Sequence, residues 1–163
     1  MKIRYLLLLL ALAIPCLGQS GSTPAQAAFD RLKQLQGDWQ SAAQNSHVQR
    51  VTYRVIANGS AVEETFNGPE GEMLTVYTLD GDHVLLTHFC MAHNQPRMQA
   101  SALHDGTLDF HFLDATGLAS PAAGHMHNAS FHFTDENHFT TTWHFVENGK
   151  EKFTENMEFA RLR

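Results

Sequence analysis

Short runs of alternating apolar and polar residues dominate the chain, and glycine-containing turn pairs punctuate them. Asn58-Gly59, Asp80-Gly81, Asp105-Gly106 and Asn148-Gly149 each stand between such runs. Asn-Gly and Asp-Gly readily supply the positive φ angles of a tight hairpin turn, so the pattern predicts antiparallel hairpins in series. Predicted strands cover 38–43, 48–57, 61–67, 73–79, 83–90, 97–104, 107–114, 127–134, 138–146 and 151–162. The fold class is therefore all-β, a closed antiparallel up-and-down barrel of about ten strands. That count favours cavity-bearing barrels of fatty-acid-binding or nitrobindin type over a tightly filled eight-strand barrel.

Alternation also assigns the faces. Leu108, Phe110 and Phe112 share one side of their strand, as do Ala129, Phe131 and Phe133, and Phe139, Thr141, Trp143 and Phe145. These rows point inward. Asp109, His111, Ser130, His132, Thr140 and His144 take the opposite side, where a histidine is ordinarily solvated surface.

Ahead of the strands, Phe29, Leu32 and Leu35 recur at helical spacing, with Thr23 as a cap and Pro24 at the first helical position. A short helix over 24–36, ending at Gly37, is expected to brace one end of the barrel. Residues 19–25 are rich in Gly, Ser, Thr, Pro and Gln and read as a tether leading into the domain at 26–163. Before them, Lys2 and Arg4 precede an apolar run that closes on Cys16-Leu17-Gly18, the form of a secretory signal peptide over residues 1–18. Pro15 disfavours a lipoprotein reading centred on Cys16. The run is too short for a comfortable membrane span, and the mature protein is expected in the periplasm or outside the cell.

Export changes the charge and thiol inventory. Seventeen acidic residues face eleven Lys and Arg in the full chain, and removal of Lys2 and Arg4 leaves nine. Nucleic acid and anionic membrane surfaces are poor partners for that balance. Of two cysteines only Cys90 remains, so no internal disulfide can form.

Two stretches carry candidate chemistry. In Thr87–Met98, His88 and Cys90 lie two apart on a strand and share a face with Val84 and Leu86. The long loop Gly117–Gly124 runs into His125-Met126-His127, and His127 has the parity of Phe131 and Phe133. Together His88, Cys90, His125 and His127, with His93 as a spare, offer imidazole and thiolate ligands suited to zinc or copper. The bland alternative is a satisfied polar network beneath the loops with Cys90 packed as a small hydrophobe. Glu64 faces inward with Val62 and Phe66, where a buried acid beside Arg54 or Arg97 would be structural.

Gly37-Asp38-Trp39, following a short helix, is similar to the start of lipocalin-type (calycin) barrels, in which the Trp packs across the closed end. The segments Val76–Asp82, Leu86–Cys90, Asn94–Met98 and His125–His127 resemble a group of uncharacterised exported bacterial proteins with a calycin-like barrel, over about Leu32 to Phe159. That resemblance implies fold and export and brings no established activity. A more distant topological likeness to nitrobindin barrels carries no haem ligand across, because Gln40-Ser41-Ala42-Ala43 follows the Trp in place of a Gly-rich extension.

Three functions follow. The first is a barrel that binds a small hydrophobic or amphipathic molecule, lined by Tyr77, His88, Cys90, Met98, His127, Phe131 and Trp143. The second is a metal-binding protein or metalloenzyme using the His/Cys set. The third, a thiol enzyme with Cys90 as nucleophile and His88 or His93 as base, ranks lowest, since no helix start near Cys90 offers an oxyanion site.

Overall fold

The structure is a computed structural model that describes residues 22–42, 48–68 and 71–163. The predicted signal peptide, Cys16, residues 19–21 of the tether and the predicted strand end at Ala43 lie outside the described residues.

Helix α1 spans Pro24–Lys33, with the Thr23 hydroxyl accepting from the Gln26 N–H at 3.1 Å and Pro24 at the first position. Ala25, Ala28, Phe29 and Leu32 form its buried stripe. Residues 34–36 continue it in tighter i to i+3 turns, Gln34 to Arg31, Leu35 to Leu32 and Gln36 to Lys33, which brings Leu35 into the core.

Eleven strands follow: β1 Gly37–Ser41, β2 Arg50–Ile56, β3 Ala61–Gly68, β4 Gly71–Asp80, β5 His83–Phe89, β6 Gln95–Ala100, β7 Leu103–His104, β8 Thr107–Thr116, β9 His125–Phe133, β10 His138–Glu147 and β11 Lys150–Arg161. Each pairs antiparallel with its neighbours, β6 pairs with β8, and β11 pairs back onto β1. The result is a closed ten-strand barrel, with β7 a two-residue addition along β8. The predicted strand at 97–104 is broken at Ser101-Ala102, so its end becomes β7.

The turn chemistry is as the sequence demands at two hairpins. Asp105 and Gly106 have φ of 48° and 75°, and Asn148 and Gly149 have 55° and 68°. The Asp80-Gly81 hairpin departs from the prediction: Asp80 pairs with His83, so the loop is Gly81-Asp82 and only Gly81 is left-handed.

One end of the barrel is sealed. α1 packs against β2, β4, β5 and β7, and the Trp39 indole N–H donates to the Leu35 carbonyl at 2.7 Å. The Arg161 guanidinium lies 4.1 Å over the Trp39 ring and donates to the carbonyls of Gln34, Gln36 and Glu136. Tyr77, Phe110, Phe131 and Phe139 fill the interior above it; Phe131 meets Tyr77 and Phe110 edge-on and stacks parallel to Phe139. The opposite end carries the β5–β6 and β10–β11 turns and the 117–124 loop, which bonds to both through Asn94 and Asn148. No helix among the described residues is long and apolar enough to cross a membrane.

Candidate functional site

Polar side chains enter the interior at a few points only, and the pairing register explains which. Tyr53 on β2 stands opposite Glu64 on β3, and Glu64 stands opposite Thr75 on β4, which in turn stands opposite His88 on β5. Four consecutive strands thus present one polar row inside a mainly apolar barrel. Glu64 is 6% exposed and accepts hydrogen bonds from the hydroxyls of Tyr77 and Tyr53. Desolvation pushes its carboxyl up to about 7, and the two tyrosine donors pull the other way without cancelling the shift. Each tyrosine is itself held well above its ordinary value, first by burial and then by the Glu64 charge.

His88 is 5% exposed. Its Nδ1 lies 3.0 Å from the Thr75 hydroxyl, and its ring sits 5.1 Å from that of Trp143 across the interior. Burial pushes the imidazole down to about 4, so it is neutral at physiological pH. Its Nε2 has no hydrogen-bond partner, and neither has the buried Thr141 hydroxyl on β10.

These groups converge on one small void of about 20 Å³, lined by Tyr53, Glu64, His88, Thr141, Trp143 and Met157 among others. Toward the open end lies a basin of about 580 Å³ whose walls include Cys90, Phe145 and Phe153. Phe66, Met73, Met126 and Glu155 line both, so the basin leads down to the void. The large cavity expected from the strand count is therefore a basin at the mouth, because aromatic side chains fill the rest.

The predicted ligand-lining residues separate accordingly. His88 and Trp143 line the void and Cys90 lines the basin. Tyr77 is buried behind Glu64 and binds it, and Met98 is fully buried opposite Leu86; neither lines the void or the basin. Phe131 likewise packs in the core.

His127 requires a correction. A bulge between His144 and Phe145 shifts the β9–β10 register, so Ala129 faces Trp143 but Met126 faces Phe145. Met126 takes the inward place, and His127 instead stacks on Phe112 with ring centroids 4.5 Å apart.

The four-ligand metal set is likewise corrected. The two stretches do meet, for the Asn94 side chain donates to the Gly124 carbonyl at 2.8 Å. Their ligand atoms do not. His125 Nδ1 lies 2.8 Å from the Ala123 carbonyl, which can only accept, and its Nε2 lies 3.1 Å from His127 Nδ1. Both nitrogens of His125 are engaged, and the void that His88 lines has neither Cys90 nor a second imidazole on its wall. Among the described residues no group of three His, Cys, Asp or Glu is placed to hold a zinc or copper ion.

Cys90 is half-buried in the basin wall, and burial raises its thiol against the opposing pull of the backbone N–H groups of Ala92 and Met91. That is the reverse of an activated nucleophile. Alkylation by iodoacetamide is expected to be slower at pH 7 than for a free cysteine peptide and to accelerate as pH rises; a rate at pH 7 above the peptide's would contradict this.

Sequence reasoning missed Glu64 and Thr141 as site residues. Glu64 is buried on the inward face, as its parity with Val62 and Phe66 predicts, but the expected arginine partners lie elsewhere: Arg54 pairs with Glu63, and Arg97 with Asp114. The signal for Thr141 was its place as the one polar residue in the Phe139–Phe145 row.

No family model matches the chain, and no curated protein matches it. Among solved structures the barrel is similar to a protein of unknown function of the DUF3598 family from Nostoc punctiforme, with a TM-score of 0.57 and 11% identity. The match covers 80% of this chain and 49% of that one, so the chain spans about half the length of that neighbour. The likeness establishes a fold. It extends the calycin-type resemblance as far as the β-barrel and no further.

Proposed function

We propose that this is an exported barrel that binds a small, partly apolar molecule, its body in the mouth basin and one polar end in the void. One observation carries the reading: two buried polar atoms, His88 Nε2 and Thr141 Oγ1, lack partners and line the same void. A buried polar group left unpaired costs about 1–3 kcal/mol, and a ligand atom that pairs with it recovers part of that cost on binding. The basin volume of about 580 Å³ lies within the range of small-molecule sites, and Phe66, Met73 and Met126 give the passage an apolar wall. The basic start and apolar run of residues 1–18 support export.

The uncharged fluorophore N-phenylnaphthylamine tests the reading. Saturable one-to-one uptake with enhanced emission is expected, together with at least a tenfold loss of affinity in Met126→Trp, which fills the shared wall. Absence of saturable uptake by the wild-type protein would overturn the proposal.

A further inference from the structure

Resting on that ligand-binding reading, we infer that the void takes the protonated head of a primary amine, with its hydrocarbon tail in the basin. The charge of the walls is the first reason. Among the described residues, neither the void nor the basin is lined by a lysine or arginine, whereas Glu64 lines the void and Glu155 lines both. An anionic head would be desolvated there with no cation to pair with it and with carboxylates alongside. A cationic head meets the opposite situation.

The acceptors are the second reason. A primary ammonium carries three N–H donors and no acceptor. The void presents three acceptor groups: the Glu64 carboxylate, Thr141 Oγ1 and His88 Nε2. Glu64 already accepts from two tyrosine hydroxyls, but a carboxylate has about four acceptor sites, so capacity remains. The His88 Nδ1 and the Thr75 hydroxyl lie 3.0 Å apart, and in the tautomer whose Nδ1–H donates to that hydroxyl the neutral ring offers its Nε2 lone pair to the void. The rings of Trp143 and Tyr53 on the same wall add cation–π attraction.

Size is the third. A void of about 20 Å³ has room for one water-sized group. An –NH3⁺ head meets that limit, while a trimethylammonium head exceeds it. The groups that set the charge around the head are Glu64 on β3, Tyr53 on β2, Tyr77 on β4, His88 on β5 and Glu155 on β11. At a pH above about 7 the Glu64 carboxyl is ionised and able to act as counter-ion.

Isothermal titration at about pH 8 with n-octylamine, n-octanol, octanoate and octyltrimethylammonium, each below its micellar concentration, reads out the head-group preference. The amine is expected to bind at least tenfold more tightly than the alcohol, with octanoate and octyltrimethylammonium weaker than both. Glu64→Gln should bring the amine down to the level of the alcohol while leaving the alcohol's affinity unchanged. Thr141→Val, which spares the tyrosine–carboxylate cluster, should weaken the amine by a smaller factor. If octanol, octanoate or octyltrimethylammonium binds as tightly as the amine, or if Glu64→Gln keeps the preference, the amine assignment is overturned and the ligand-binding reading stands. If none of the four compounds binds and N-phenylnaphthylamine is not taken up, both fall.

Discussion

Glu64→Gln and His88→Asn are expected to tilt the pH dependence of stability in opposite directions, each by about 3 kcal/mol. The Glu64 carboxyl rises from 4.5 to about 7 on folding, chiefly because burial penalises its charged form. Between those values the folded protein holds a proton that the unfolded chain has released. Its contribution is fully present below pH 4.5 and lost as pH rises through about 7. His88 falls from 6.5 to about 4 for the same physical reason acting on a base. Its contribution is present above pH 6.5 and lost as pH falls through about 4. In the overlap the two slopes oppose each other, so the wild-type protein is nearly flat with respect to this pair. Removing Glu64 unmasks the loss on acidification, and removing His88 unmasks the loss on raising the pH. Urea unfolding across about pH 4 to 8, taken as variant minus wild type so that other titrating groups cancel, measures both. Two variant profiles parallel to wild type would show that neither group is held in the buried environment described.

Trp39→Ala should cost about 3–5 kcal/mol, the range for deleting a buried aromatic. The ring is 1% exposed and meets the edge of Phe139 at a centroid distance of 4.8 Å. Two further contacts are lost with it: the indole donor to Leu35, just beyond the end of α1, and the cation–π partner of Arg161. Trp39→Phe keeps most of the apolar area and leaves the Leu35 carbonyl without its donor. Its cost should be nearer 1–3 kcal/mol. Amide exchange distinguishes the two, since α1 protection should fall much more in the alanine variant than in the phenylalanine one. Equal stability loss in both would mean that the hydrogen bond, and not ring packing, fixes the closed end.

The barrel was legible because its signals are local. A positive-φ pair between alternating runs fixes a hairpin whatever surrounds it, and the Thr23 cap and Pro24 fix a helix start in the same way. Register irregularities are not local. The bulge at His144/Phe145 has no residue signature in the sequence, yet it gives Met126 the inward place that parity assigns to His127. Glu64 shows a related limit. Its inward face followed from parity with Val62 and Phe66, but its partnership with Tyr53 follows only once β2 and β3 are aligned. The unpartnered atoms at His88 and Thr141 needed a further step, because they come from strands that meet across the interior and not edge to edge.

The ring closes where β11 pairs with β1, and this has a consequence for how the chain folds. Among the described residues, every other pairing around the ring joins strands that follow one another in sequence, with the two-residue β7 the only strand bypassed. Those hairpins can form in any order at small entropic cost. Joining Trp39 to Arg161 instead brings together residues separated by about 120 positions. That seam is the long-range event of the folding reaction, and Trp39 and Arg161, stacked across it, enter their final environment only when the circle is complete.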